Sequence, residues 1–250
     1  MDLERFFSLE GKVALVTGCR AGLGRAAAVG LATAGADLVL HAHHDELDET
    51  AAEVVACSGR TPLRWVADLG RPDELEGQVS ELLASTRVDI LVNNAAAFVR
   101  EQATELSFTR WREVMAVNLD APWLLSQWIG ATMIERGAGK IINVSSLAGL
   151  QGGVRRSGYA VSKHGMIGMT KALSNEWAGF NVQVNAIAPG FFDSGRPNTV
   201  IGDPAVLARI PAGRWGEPFE IAGPIVFLAS KAADYVSGHV LVVDGGWFAR

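Results

Sequence analysis

Residues 12–35 read KVALVTGCRAGLGRAAAVGLATAG, and this run decides the architecture. Residues 12–17 form a short apolar segment of the kind that makes a strand buried on both faces. Gly18, Gly22 and Gly24 follow at once, and residues 25–35 have the small side chains of a helix packed close to a sheet. Strand, glycine loop and helix in that order make a cradle for dinucleotide phosphates. Glycine lets the backbone come close, and the free N–H groups and dipole of the first helical turn favour the negative charge. A tight turn with no ligand is the plainer reading of the same residues.

Outward from this run the alternation repeats. Strands are expected at 37–41, 62–67, 88–92, 140–144, 182–187 and 239–243. Helices fall between them at 44–59, 71–85, 104–136, 158–178 and around 218–229, with 104–136 broken near residues 118–122. The pattern implies an α/β chain, 1–250, folded as one doubly wound, Rossmann-type parallel sheet of about seven strands flanked by helices on both faces. Ligands of such sheets lie at the carboxyl ends of the strands. Those ends here carry Gly18, Asp68, Asn94, Ser146 and the pair Pro189-Gly190. Residues 191–211 lack a clear strand and are punctuated by Gly and Pro, which suits a lid.

The chain has 250 residues, 49% hydrophobic and 20% charged, with a net charge of −5. That length and composition support a sizeable core. With no basic stripe, neither nucleic acid nor an anionic membrane is an expected partner. The apolar run IAGPIVFLA is too short to span a bilayer. The opening MDLERFFSLEGK lacks a basic segment followed by an apolar one, so a cytoplasmic location is expected. Cys19 and Cys57 suit a reducing compartment, and Cys19 reads better as buried filler than as a reactive thiol. His41, His43 and His44 look metal-like, but they lack a carboxylate in helical register. A solvated loop is the expectation, and no metal is expected.

A second stretch, residues 143–163, reads NVSSLAGLQGGVRRSGYAVSK. A buried strand ends in two serines, a glycine-rich loop follows, and a helix begins near Tyr159. On that helix Tyr159 and Lys163 share a face, about 5–6 Å apart at Cβ. An ammonium beside a phenol favours phenolate and draws the tyrosine pKa from about 10 toward neutrality.

Taken together, TGCRAGLG, NNAA, Asn118 in AVNLDAP, Ser146, YAVSK and NAIAPG resemble the short-chain dehydrogenase/reductase family nearly end to end. Ala96 departs from the pattern, where the family has Gly after NNA, and Ser194 stands in place of Thr. The resemblance implies hydride transfer between a nicotinamide cofactor and a secondary alcohol or ketone. It assigns Tyr159 as acid–base, Lys163 as its modulator and ribose ligand, Ser146 as donor to the substrate oxygen, and Asn118 as holder of a relay water. It places the cofactor on Gly18, Arg20, Gly22, Leu23, Gly24, His43, Asp68, Leu69, Asn94, Ala95, Tyr159, Lys163, Pro189, Gly190, Phe192 and Ser194.

The carboxyl-terminal third and QGGVR at 151–155 are similar to the sugar-acid branch of that family. This implies a substrate such as 2-deoxygluconate or 2-keto-3-deoxygluconate. A 3-oxoacyl or other ketone reductase is the alternative, and a non-catalytic dinucleotide-binding regulator is the alternative of another class. A carboxylate substrate needs a fixed cation, so Arg155 and Arg100 are the candidate anchors, with Ser146, Gln151 and Tyr159 beside them. Either NAD or NADP fits. Ala42 stands where an acidic residue would bind the ribose 2′-hydroxyl of NAD, Arg20 and His43 could meet a 2′-phosphate, and the sugar-acid branch leans the expectation toward NAD. Family members of this size are commonly homotetramers, and Trp111, Trp123, Trp128 and Trp177 lie on the helices that pair in them.

Overall fold

The structure, a computed structural model, describes residues 3–193 and 203–249. After the short helix α1 (Leu3–Phe7), the chain alternates strand and helix. The strands are β1 (Val13–Val16), β2 (Asp37–Ala42), β3 (Leu63–Val66), β4 (Ile90–Asn93), β5 (Gly139–Val144), β6 (Val182–Pro189) and β7 (Val240–Val243). The helices between them are α2 (Gly22–Thr33), α3 (Asp48–Ser58), α4 (Leu75–Ser85), α5 (Phe108–Met115), α6 (Ala121–Arg136), α7 (Ser157–Trp177), α8 (Pro204–Leu207) and α9 (Ala222–Ala229). The seven strands form one sheet in the order β3-β2-β1-β4-β5-β6-β7. Every pairing is parallel. The order reverses between β1 and β4, so the crevice of a doubly wound sheet opens there.

Strand alternation divides the core in two. Ala14, Val16, Leu38 and Leu40 face one layer, where Ala27, Ala28 and Leu31 of α2 meet Ile225 and Leu228 of α9. Leu15, Val39 and Leu91 face the other, against Leu82 of α4, Leu125 and Ile129 of α6, and Met166 and Leu173 of α7. The run of alanines in α2 leaves room for the helix to approach the sheet. Gly30 has the same purpose, since a Cβ there would meet the side chain of Ala222 at 2.6 Å. Trp128 and Trp177 pack against the second core, whereas Trp123 is 43% exposed.

Two sequence expectations change. The break near residues 118–122 is instead a π-helical turn, Ala116–Asp120, that joins α5 to α6 without interruption. Pro122, which has no N–H to give a helix, sits in the first turn of α6 directly after the π turn, the place where the regular hydrogen-bond ladder is already displaced. β2 runs on to Ala42, so His41 is a strand residue and 2% exposed rather than part of a solvated loop. His43 and His44 lie outside the strand and stack on each other at 4.1 Å. Among the described residues no group of His, Cys, Asp or Glu could hold a metal ion, and no helix is long and apolar enough to cross a membrane.

Candidate active site

The strand ends converge on a cavity of about 800 Å³. Its floor is the glycine loop. Gly18 has φ +65°, and a Cβ there would stand 2.7 Å from the Ala95 Cα. A Cβ on Gly24 would collide with the Gly18 carbonyl and the Asn94 amide. The loop is braced from outside through its carbonyls. Asn94 Nδ2 donates to the Thr17 and Gly18 carbonyls at 2.8 and 3.0 Å. Thr50 Oγ1 donates to the Cys19 carbonyl at 2.8 Å, and Arg25 Nη2 to that of Arg20 at 2.6 Å. Thr17 Oγ1 in turn accepts from the Asn94 and Ala95 amides at 2.9 and 3.0 Å. With the carbonyls held away, the amides of the first turn of α2 are left to the cavity. Ala21, the N-cap, offers no side chain to satisfy them, and no acidic residue lies in that turn. Such uncapped N–H groups with close backbone access fit a pyrophosphate.

At the far end of the cavity stand Ser146, Tyr159 and Lys163. Lys163 is 1% exposed, and its Nζ donates to the Val144 carbonyl at 2.7 Å and lies 5.7 Å from the centre of the Tyr159 ring. Burial pushes its amine from 10.5 down to about 7, so ammonium and amine are both populated at neutral pH. The pairing anticipated from the four-residue spacing is present, and the charge that it needs is tunable. Tyr159 packs edge-on against Phe98 at 5.1 Å. Ser146 caps the short turn that follows β5, its Oγ accepting from the Ala148 amide at 3.1 Å, which leaves its hydroxyl hydrogen for another acceptor. Asn118 is fully buried in the π turn. Its side chain is committed elsewhere: Oδ1 accepts from the Ala97 amide at 2.7 Å, and Nδ2 donates to the Ala97 carbonyl and to Ser162 Oγ, both at 3.0 Å. It locks the strand-β4 exit loop onto α7 rather than facing Lys163.

The residues expected to hold cofactor, from Gly18 to Phe192, all line this cavity; Ser194 lies outside the described residues. The substrate candidates fare differently, for Arg100, Gln151 and Arg155 are absent from the cavity wall. Gln151 turns to the carboxyl-terminal segment, where its Oε1 accepts from Trp247 Nε1 at 3.2 Å. Arg155 is exposed and holds φ +60°, a left-handed conformation that an arginine adopts only under constraint. Sequence reasoning passed over Glu46, which pairs with Arg20 at 2.7 Å at the cavity rim, and over His41, whose ring faces the glycine loop. Cys19 is the buried filler expected: its thiol donates to the His41 carbonyl at 3.4 Å, and burial pushes it up to about 12.

A doubly wound sheet with an uncapped glycine cradle at one end of its crevice and a lysine–tyrosine pair at the other defines a nicotinamide-dependent oxidoreductase. Its relatives narrow the class. The family model described as enoyl-(acyl carrier protein) reductase matches residues 18–248. The 2-dehydro-3-deoxy-D-gluconate 5-dehydrogenase of Bacillus subtilis is 44% identical over 252 residues, 99% of each chain. A candidate NAD(P)-dependent gluconate 5-dehydrogenase of Beutenbergia cavernae, whose structure holds NADP at low occupancy, is 46% identical with a TM-score of 0.94, over 98% of this chain and 100% of that one. A candidate 2-deoxy-D-gluconate 3-dehydrogenase of Agrobacterium tumefaciens with bound NADP is also 46% identical, with a TM-score of 0.91 over 98% and 99%. The chain belongs to the short-chain dehydrogenase/reductase family and is an NAD(P)-dependent oxidoreductase.

Proposed function

We propose that this enzyme interconverts a secondary alcohol and a ketone on a gluconate-type sugar acid, with NADP as cofactor. The observation that carries the reading is the 44% identity, over 99% of each chain, to 2-dehydro-3-deoxy-D-gluconate 5-dehydrogenase in a chain whose Ser146, Tyr159 and Lys163 line one cavity. The amides of Gly22, Leu23 and Gly24 would hold the pyrophosphate, and Lys163 the nicotinamide ribose. Bound there, the nicotinamide ring supplies the two-electron acceptor or donor. Tyr159 takes the alcohol proton in oxidation and returns it in reduction. Lys163 assists only as ammonium, because only the charged form favours phenolate. Ser146 donates its hydroxyl hydrogen to the substrate oxygen, where negative charge grows in the transition state. The side chain of Asn118 is committed to Ala97 and Ser162, so a relay water there would be held by its backbone carbonyl.

The NADP assignment replaces the lean toward NAD, which found no support. Two of the similar structures hold NADP, and the end of β2 offers Ala42, His43 and His44 rather than a carboxylate. Arg20 at the rim would exchange Glu46 for the 2′-phosphate. Residues 191–211 are proposed as the substrate cover of a single catalytic domain. Its described far end is anchored where the Arg209 guanidinium lies 4.2 Å over the Trp247 ring. The exposed Trp123 on α6 supports pairing of such helices in a homotetramer, and a cytoplasmic setting suits the two unpaired cysteines.

The test is cofactor absorbance with purified enzyme, NADP or NAD, and a panel of gluconate-type acids, neutral polyols and 3-oxoacyl thioesters. Turnover highest on a sugar acid with NADP is the expected result. Turnover confined to the thioesters would overturn the substrate assignment.

A further inference from the structure

His41 sits on β2 beneath the glycine loop and belongs to none of the roles above. Its ring makes two hydrogen bonds at opposite ends. Nδ1 accepts from the Gly18 amide at 3.1 Å, and Nε2 faces the Ala67 carbonyl at 3.1 Å. The partners fix the tautomer: an amide can only donate and a carbonyl can only accept, so the hydrogen is on Nε2. The backbone of the same residue adds a third tie, its carbonyl accepting from the Cys19 amide at 3.0 Å. The ring is 2% exposed and packs against Trp65 at 4.9 Å. Ala67 immediately precedes Asp68 and Leu69, which line the cavity. One buried ring therefore joins the phosphate turn after β1 to the exit of β3.

We propose that His41 is a positioning residue of the cofactor cradle, setting the glycine turn through Gly18 before cofactor arrives. The Gly18 amide lies under a backbone with φ +65°, a conformation that the free chain samples among others. Without an acceptor for that amide the turn relaxes in the empty enzyme, and its reordering is charged against cofactor binding. The contact to Gly18, not the one to Ala67, does this.

Two amide side chains separate the contacts. In Asn the terminal oxygen hangs from Cγ, where Nδ1 is attached, so His41→Asn keeps an acceptor for Gly18 and loses the Ala67 link. In Gln the terminal amide hangs one carbon further, near Nε2, so His41→Gln keeps the donor to Ala67 and loses Gly18. His41→Leu loses both. Cofactor affinity is measured by NADPH and NADH fluorescence titration at pH 7.5, and amide exchange of residues 17–24 is followed in the cofactor-free protein. Relative to wild type, Gln and Leu should weaken cofactor binding by about tenfold, the worth of one buried hydrogen bond, and speed exchange of the turn. Asn should leave both within about threefold. Equal weakening by Asn and Gln, or unchanged affinity in both beside lowered melting temperatures, would make His41 a structural residue only and overturn the proposal. The exchange readout is independent of which substrate or cofactor the enzyme prefers.

Discussion

Lys163 should cost the empty enzyme stability, and the cost should vary with pH. Its amine is pushed from 10.5 to about 7 by burial, a change that corresponds to about 5 kcal/mol at about 1.4 kcal/mol per pKa step. The hydrogen bond from Nζ to Val144 O at 2.7 Å gives the buried group one partner, and the pKa difference sets the penalty by itself. The sign follows from proton counting. Between pH 7 and 10.5 the unfolded chain binds a proton that the folded one has released, so stability rises with pH across that window. Below pH 7 both states are charged and the full penalty stands; above 10.5 both are neutral and it is gone.

Lys163→Met fills the same tunnel with an apolar chain of similar length and titrates nowhere. Urea unfolding of both proteins at pH 7, 8 and 9 isolates the term, because every other group is shared. The variant should be the more stable by about 4 kcal/mol at pH 7, with the advantage shrinking by about 1 kcal/mol per pH step above it. A difference that does not change with pH would refute the reasoning. Turnover should be lost in the variant, the outcome expected of a residue whose chemistry costs stability.

Tyr159→Phe should lower kcat by at least about 100-fold while cofactor affinity in fluorescence titration stays near wild type; near-normal turnover would remove the tyrosine from its role. Arg155 stands outside the cavity wall, so Arg155→Ala should leave KM for a carboxylate substrate within about twofold, and Arg155→Gly should raise the unfolding free energy by about 1 kcal/mol by relieving the left-handed backbone; a tenfold rise in KM would return Arg155 to the substrate site. Glu46→Gln should tighten NADPH more than NADH in paired titrations, because it frees Arg20 for the 2′-phosphate; equal effects on both would place Arg20 elsewhere. His41 is held at about 4 rather than 6.5, chiefly by burial. Its contribution is intact above pH 6.5 and should fall by about 3 kcal/mol as pH drops through 4, a loss that His41→Asn should abolish in acid unfolding curves.

The fold was legible because buried parallel strands announce themselves. Runs such as VALV at 13–16 and ILV at 90–92 are apolar on both faces, and glycine or asparagine follows their ends. The π turn was not legible. Residues 104–136 read as helix with a break at Pro122, whereas the helix begins at Phe108 and passes through the π turn into α6, with Pro122 in the first turn. The histidines were misread for a related reason. Three of them in four positions resemble a polar loop, and only the sheet register, His41 opposite Trp65, shows that the first is inside and the other two are not.

The site divides along the same line, between what spacing conveys and what it does not. Tyr159 and Lys163 were found because helix geometry fixes neighbours four residues apart whatever lies around them. Gln151 and Arg155 were assigned by proximity in sequence to Ser146 and Tyr159, but a loop carries no such geometry. Gln151 spends its oxygen on Trp247, far along the chain, and Arg155 is exposed outside the cavity wall. The side-chain partners of Asn118, Ala97 and Ser162, were out of reach of the sequence, since they are met only through the fold. Least legible was charge. Spacing put an amine beside a phenol, and the inference that the amine is always an ammonium came from its reference pKa. Burial under Val144 removes that guarantee. Ribose hydroxyls accepting from Nζ would favour the ammonium again, so the proposed site ties the charge state of Lys163 to cofactor binding.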